Sequence, residues 1–127
     1  MGGEKSMRAM VEERSEQTEI ERWKAVSELR KMGRSAVEYL IINLWDNDNW
    51  VRMAAVDALG AIGDKRAYDH LVKMLDDPVH DVRFASVIAL GELGDTRALG
   101  PLSKACFDPN CYVRTIAEET LEKFNIK

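Results

Sequence analysis

The chain is poor in the residues that most chemistry requires. Its 127 residues include only two histidines, His70 and His80, and two cysteines, Cys106 and Cys111. A metal site needs three or four convergent ligands. The C-x4-C spacing is longer than the C-x2-C of zinc and redox sites, and no second pair accompanies it. The cysteines read as small, half-buried thiols in a reducing compartment, so the expected location is the cytoplasm. No apolar run nears the ~20 residues of a membrane helix, and Met1-Gly2-Gly3-Glu4-Lys5 lacks the apolar stretch of a signal peptide. Positive charge is not in excess: 18 Lys and Arg face 22 Asp and Glu, a net charge of −4. That balance speaks against nucleic acid as a partner. There is no G-x-S-x-G, no phosphate loop and no paired Cys/His arrangement, so no catalytic, cofactor or metal residues are expected.

What the chain does have is an internal period. Val51, Val82 and Val113 are 31 residues apart, as are Arg52, Arg83 and Arg114, and Asp46, Asp77 and Asp108. Laying residues 46–76 over 77–107 gives 14 identities in 31, with Ala58-Leu59-Gly60 over Ala89-Leu90-Gly91 and Gly63-Asp64 over Gly94-Asp95. A period of this size marks a unit that cannot bury its apolar face alone and must stack on its neighbour. The expected fold is all-α: a short right-handed solenoid of stacked antiparallel helix pairs.

Each unit reads as helix, tight turn, helix. Val82, Ala85, Ser86, Ala89, Leu90 and Leu93 recur at helical spacing. Asp77 is a candidate N-cap with Pro78 at the first helical position. Gly94 stops the helix, and Asp95 caps a second one carrying Ala98, Leu102 and Cys106 on one face. First helices are expected near 17–32, 48–62, 79–93 and 110–124, and second helices near 35–45, 65–75 and 96–106. Leu59, Leu71, Leu90 and Leu102 are expected in the core.

The ends differ from the middle. Leu29 and Gly33 match Leu59 and Gly63 at an offset of 30, and Ala36, Leu40 and Leu44 match Ala67, Leu71 and Leu75 at 31. Residues 16–45 are therefore a degenerate first repeat, followed by 46–76, 77–107 and a half-repeat at 108–127, all one unit spanning 16–127. In the half-repeat Glu118, Thr120 and Glu122 replace Val87, Ala89 and Gly91, which reads as polar closure of the stack. Residues 1–15, with Met7, Met10 and Val11 among charges, form either a capping helix or a tail.

With these columns aligned, the chain resembles the HEAT-like repeats first noted in phycobilin lyase subunits. The residues that carry the likeness are Val51-Arg52-x2-Ala55-x2-Ala58-Leu59-Gly60-x-Ile62-Gly63-Asp64-x-Arg66-Ala67-x3-Leu71-x3-Leu75 and the same frame from Val82 to Leu102. The motif is specific for the fold and nearly silent about activity, since such repeats serve as scaffolds, adaptors, lyase parts and metal-dependent hydroxylases. Deoxyhypusine hydroxylase, built from similar repeats, places His-Glu pairs where this chain has Met53-Ala54, Phe84-Ala85 and Thr115-Ile116. The resemblance therefore does not extend to that iron chemistry.

Two sets of charges follow the period. Asp46, Asp77 and Asp108 accompany Arg52, Arg83 and Arg114, while Asp64 with Arg66 and Asp95 with Arg97 form a second set at the other end of the units. Some HEAT-like glycosylases grip DNA with cationic grooves, but cations that recur with anions usually form structural ladders. Each Arg of the first set is expected to reach the preceding loop, meeting its Asp or the last carbonyls of the previous helix.

Second helices usually line the concave side of such a stack. Their outward positions hold Glu38, Ile41 and Ile42, then Asp69, Val72 and Lys73, then Gly100, Ser103 and Lys104. Trp45, Trp50 and Phe107 stand in the loops, the tryptophans either packed locally or exposed as anchors. The expected function is that of a non-enzymatic scaffold or adaptor presenting a concave helical surface, with Ile41, Ile42 and Val72 as an apolar strip. The partner is a protein, or a second copy of the chain. The alternative is an accessory subunit of a lyase or protein-modification enzyme, and nucleic-acid binding ranks behind both.

Overall fold

The computed structural model describes residues 22–125. The segment 1–15 and the expected helix start at residue 17 lie outside the described residues. In chain order the elements are α1 (Arg22–Glu28), a 3-10 stretch (Leu29–Ala36), α2 (Val37–Asn43), α3 (Asn49–Ile62), a 3-10 turn (Lys65–Ala67), α4 (Tyr68–Met74), α5 (His80–Leu93), a 3-10 turn (Thr96–Ala98), α6 (Leu99–Ala105) and α7 (Cys111–Asn125). No strand occurs among the described residues. The result is a short helical solenoid.

Glycine ends the first helices. Gly63 and Gly94 adopt φ of 75° and 71°, and their N–H groups donate back to the carbonyls of Leu59 and Leu90. A side chain would pay roughly 1 kcal/mol for that left-handed turn, so the helix stops where the sequence supplies Gly. The next residue sets the following helix. Asp64 and Asp95 each accept the N–H two residues on, from Arg66 and Arg97. The cap draws the chain into a tight turn closed by Ala67 N–H to Asp64 O at 3.1 Å and Ala98 N–H to Asp95 O at 2.9 Å. The second helices therefore begin as 3-10 turns and become α-helical only at Tyr68 and Leu99.

The starts of the first helices depart from the expected capping. Asp77 is not the N-cap of α5, and Pro78 is not its first residue; the helix begins at His80, with Val79 at the cap position. Asp77 instead accepts the Val79 N–H at 2.9 Å, and its carboxylate is also held by Arg52. Asp77 thus caps the turn ahead of the helix, and two residues, Pro78 and Val79, separate it from the first turn of α5. In α3 the cap falls to Asp48, which accepts from Trp50 N–H. In α7 Asn110 takes both Tyr112 and Val113 N–H.

The core runs between the two rows of helices. Leu29, Leu40, Leu44, Leu59, Leu71, Leu90 and Leu102 are fully buried, each contributing roughly 1.5–3 kcal/mol by leaving water. Along the first-helix row the seam is built from small residues. A Cβ on Gly60 would come within 2.8 Å of the Ala89 Cα, and one on Gly91 within 2.8 Å of the Thr120 Cγ2. Thr120 is buried against Gly91. It belongs to the inner seam of the last repeat, whereas Glu118 and Glu122, grouped with it in the sequence, are both exposed.

Candidate protein-binding surface and its charge ladder

The loops between repeats are stitched by arginines that reach forward. Arg52 donates from Nε and Nη2 to the carboxylate of Asp77 at 2.8 and 3.1 Å, and Arg83 does the same to Asp108 at 2.9 and 3.1 Å. The third nitrogen reaches back. Nη1 of Arg52 donates to the carbonyls of Asp46 and Asn47, and Nη1 of Arg83 to those of Asp77 and Pro78. The expectation was the preceding Asp or the last carbonyls of the previous helix, and each arginine does meet the preceding Asp, through its carbonyl rather than its carboxylate. The structure gives that carboxylate to the previous arginine and to its own loop amide, and leaves only its carbonyl edge. Burial pushes the Asp108 carboxyl up, but its hydrogen bonds from Arg83 and the Asn110 amide outweigh this and hold it below its ordinary value.

The second set sits at the opposite ends of the helices. Arg66 grips Asp64 and adds Glu38 at 3.2 Å; Arg97 grips Asp95 at 2.7 Å while its guanidinium lies 4.1 Å over the Tyr68 ring. Hydrogen bonds from the Arg97 side chain and amide hold the Asp95 carboxyl down at about 2, and those from Arg66 hold Asp64 lower still. These guanidiniums, spent on carboxylates and carbonyls, do not form an open cationic groove.

Large apolar groups reach solvent on both rows: Trp50, Ile88 and Tyr112 on the first helices, and Ile42, Trp45 and Phe107 on or just after the second. Ile42 is 66% exposed and Trp45 56%, while Phe107, in the Trp45 column two repeats on, is 86% exposed. Ile41 and Val72, expected beside Ile42 as a continuous strip, are partly buried and pack against the core. Between α4 and α6 lies a groove of about 420 Å³, floored by Val72, Leu75, Pro101 and Ala105 and edged by Asp76, Lys104 and Asp108. A second, of about 470 Å³, runs between Trp45 and Pro78 with Lys73 and Asp76 on its wall. Asp69 and Ser103 are exposed on the same helices, Ser103 donating its hydroxyl to Leu99 O. Trp50 is not part of this face. It opens α3 on the first-helix row, its ring 6.3 Å from that of Trp23.

A model of HEAT repeats matches residues 8–89, and a model of the PBS lyase HEAT-like repeat matches residues 82–108. The chain belongs to the HEAT repeat family. No curated protein matches it. HEAT repeats are helical scaffolds that typically mediate protein interactions, and the fold is generally non-catalytic. No described helix is long and apolar enough to cross a membrane. Among the described residues, no three His, Cys, Asp or Glu side chains are grouped to hold a metal ion.

Two ladder members of this HEAT stack escaped the sequence reading. Arg22 donates to Asp46, which makes it the Arg52 of the first repeat, and Arg34 reaches Asp64 at 3.0 Å. The signal for Arg22 was present: the offset of 30 that aligns Leu29 with Leu59 also aligns Arg22 with Arg52. Its neighbour in the Val51 column is Glu21, so the Val-Arg pair is missing there.

Proposed function

We propose that the chain is a non-enzymatic binding scaffold that presents the concave, second-helix face of its stack to a protein partner. Ile42 carries this reading. It stands in a column that the sister repeats fill with Lys73 and Lys104, so stacking does not require an apolar group there, yet it is two-thirds exposed. An exposed apolar side chain beside an exposed tryptophan is a typical anchor pair at protein interfaces. Glu38, Asp69, Lys73 and Lys104 supply a mixed polar rim, and the groove between α4 and α6 gives a shallow receptor for a further side chain. Trp50, paired with Trp23 on the other row, falls outside this surface.

A second reading rests on the PBS lyase HEAT-like match over residues 82–108: an accessory subunit that positions an enzyme. Both readings place the protein in the cytoplasm, where two free thiols, Cys106 half-buried and Cys111 exposed, stay reduced. The test is affinity capture with the parent chain beside Ile42→Lys, with melting temperatures measured on both. A specific partner lost from the variant at unchanged stability supports the surface. A large fall in melting temperature, or a partner retained by the variant, contradicts it. If the captured partner is an enzyme whose rate depends on the chain, the accessory reading is the better one.

A further inference from the structure

Arg114 occupies in α7 the place that Arg52 and Arg83 occupy in α3 and α5. It is anchored as they are, with Nη1 donating to the Asp108 carbonyl at 2.8 Å and the Pro109 carbonyl at 3.1 Å. In the earlier repeats this anchoring leaves Nε and Nη2 as a rigid edge, and that edge holds a carboxylate in two parallel hydrogen bonds. On Arg114 the same edge donates to no acceptor among the described residues. A further stacked helix is a poor source of the missing carboxylate. The first-helix seam tolerates no Cβ at Gly60 or Gly91, and Glu122 stands in that column, with Glu118 where Val56 and Val87 stand.

We propose that Arg114 is a preformed fork for an aspartate in an acidic loop of a protein partner, an interface separate from the second-helix face. The chain shows twice what this edge binds, Asp77 and Asp108, and a third arginine, Arg22, holds Asp46 through Nη2 alone. Asp46, Asp77 and Asp108 each sit in a loop where Oδ1 accepts the N–H two residues on, while the carboxylate meets an arginine. An aspartate already locked in such a turn offers its remaining lone pairs at a fixed angle, so little freedom is lost on docking. The surroundings suit a polypeptide better than an inorganic anion. Phe107 and Tyr112, both well exposed, flank Pro109 in the same loop and first turn, offering apolar contact beside the charge.

The test uses arginine Nε–Hε resonances of the full chain, titrated with an acetylated, amidated peptide copying residues 76–81, whose Asp77 is the ligand of Arg52. One exposed ion pair gives weak binding, so saturation is expected at about 1–10 mM. The Arg114 signal is expected to shift while those of Arg52 and Arg83 stay in place. A peptide carrying Asp77→Asn is expected to bind at least about fivefold more weakly, a loss near 1 kcal/mol. Arg114→Lys, which keeps the charge and loses the fork, is expected to abolish peptide binding, while unmoved Arg52 and Arg83 signals report an intact fold. The proposal is overturned if the Arg114 signal does not respond, or if the Asp77→Asn peptide binds equally well. An equal shift with sodium acetate or phosphate at the same concentration would mean an adventitious ion only, and would overturn it too.

Discussion

Arg52 holds Asp77 across the repeat boundary in two hydrogen bonds, of 2.8 and 3.1 Å, with the arginine side chain 13% and the aspartate 4% exposed. The pair joins two loops that share no backbone hydrogen bond, and it also fixes where α5 can begin. Its equivalent one repeat on, Arg83 with Asp108, is nearly as buried.

Removing one member of such a pair strands the other. Arg83→Ala is expected to cost about 2–3 kcal/mol, because Asp108 keeps its burial and loses its fork. The double variant Arg83→Ala, Asp108→Ala is expected to cost less than the sum of the singles. Arg114→Ala, with no carboxylate to strand, is expected to cost about 1 kcal/mol or less. Urea denaturation of the four proteins measures all of this, and additive costs for Arg83 and Asp108 would remove the coupling.

Two glycines should respond differently to the same change. Gly60→Ala pushes a methyl to 2.8 Å from the Ala89 backbone and is expected to destabilise by about 1–3 kcal/mol despite its better helix propensity. Gly100→Ala meets nothing within 4 Å outside its chain neighbours; its better helix propensity is offset by the Pro101 ring that follows it, so a change within about 1 kcal/mol is expected. An equal fall in melting temperature for both would contradict the seam.

Leu90 is fully buried in α5, which packs on α3 and α7. Leu90→Ala is expected to cost about 2–5 kcal/mol through lost transfer energy and the cavity left behind. Because neighbours share the interface, amide exchange is expected to speed up in α3 and α7 as well as in α5. Exchange confined to the turn around residue 90 would argue against cooperative stacking.

Asp64 and Asp95 titrate well below an ordinary carboxylate when folded, Asp95 at about 2, through their hydrogen bonds from Arg66 and Arg97. A depressed folded value stabilises at pH above the unfolded value near 4, and that contribution fades as pH falls through the folded one. The melting temperature is therefore expected to fall from about pH 4 towards pH 2. Asp95→Asn is expected to flatten that decline, and a parallel decline in the variant would rule out this pair as a source.

The fold was legible because period, Gly63, Gly94 and the leucine columns all act locally or through identical neighbours. The helix starts were less so. Asp77 looks like a helix cap in sequence, but it caps the turn before α5, and its carboxylate also holds Arg52, 25 residues distant, a contact that local pattern does not encode. For the same reason the forward half of the ladder was missed, while the reach of each arginine to the preceding loop was read. On the candidate surface, column comparison singled out Ile42, which is well exposed, together with Ile41 and Val72, which are partly buried. In a helix one residue turns the side chain by about 100°, enough to move Ile41 from solvent towards the core. Trp50 was grouped with Trp45 by closeness in sequence, although the loop between them crosses from the second-helix row to the first.

Which face binds is the central question, and a photo-crosslinking side chain placed singly at Ile42, Trp45 or Ile88 answers it most directly. Ile88 is an exposed apolar residue on α5, in the first-helix row, and serves as the control for stickiness. With a purified partner or a second copy of the chain, crosslinks are expected from positions 42 and 45 and not from 88. Crosslinks from 88 alone, or equally from all three, would contradict a second-helix binding surface.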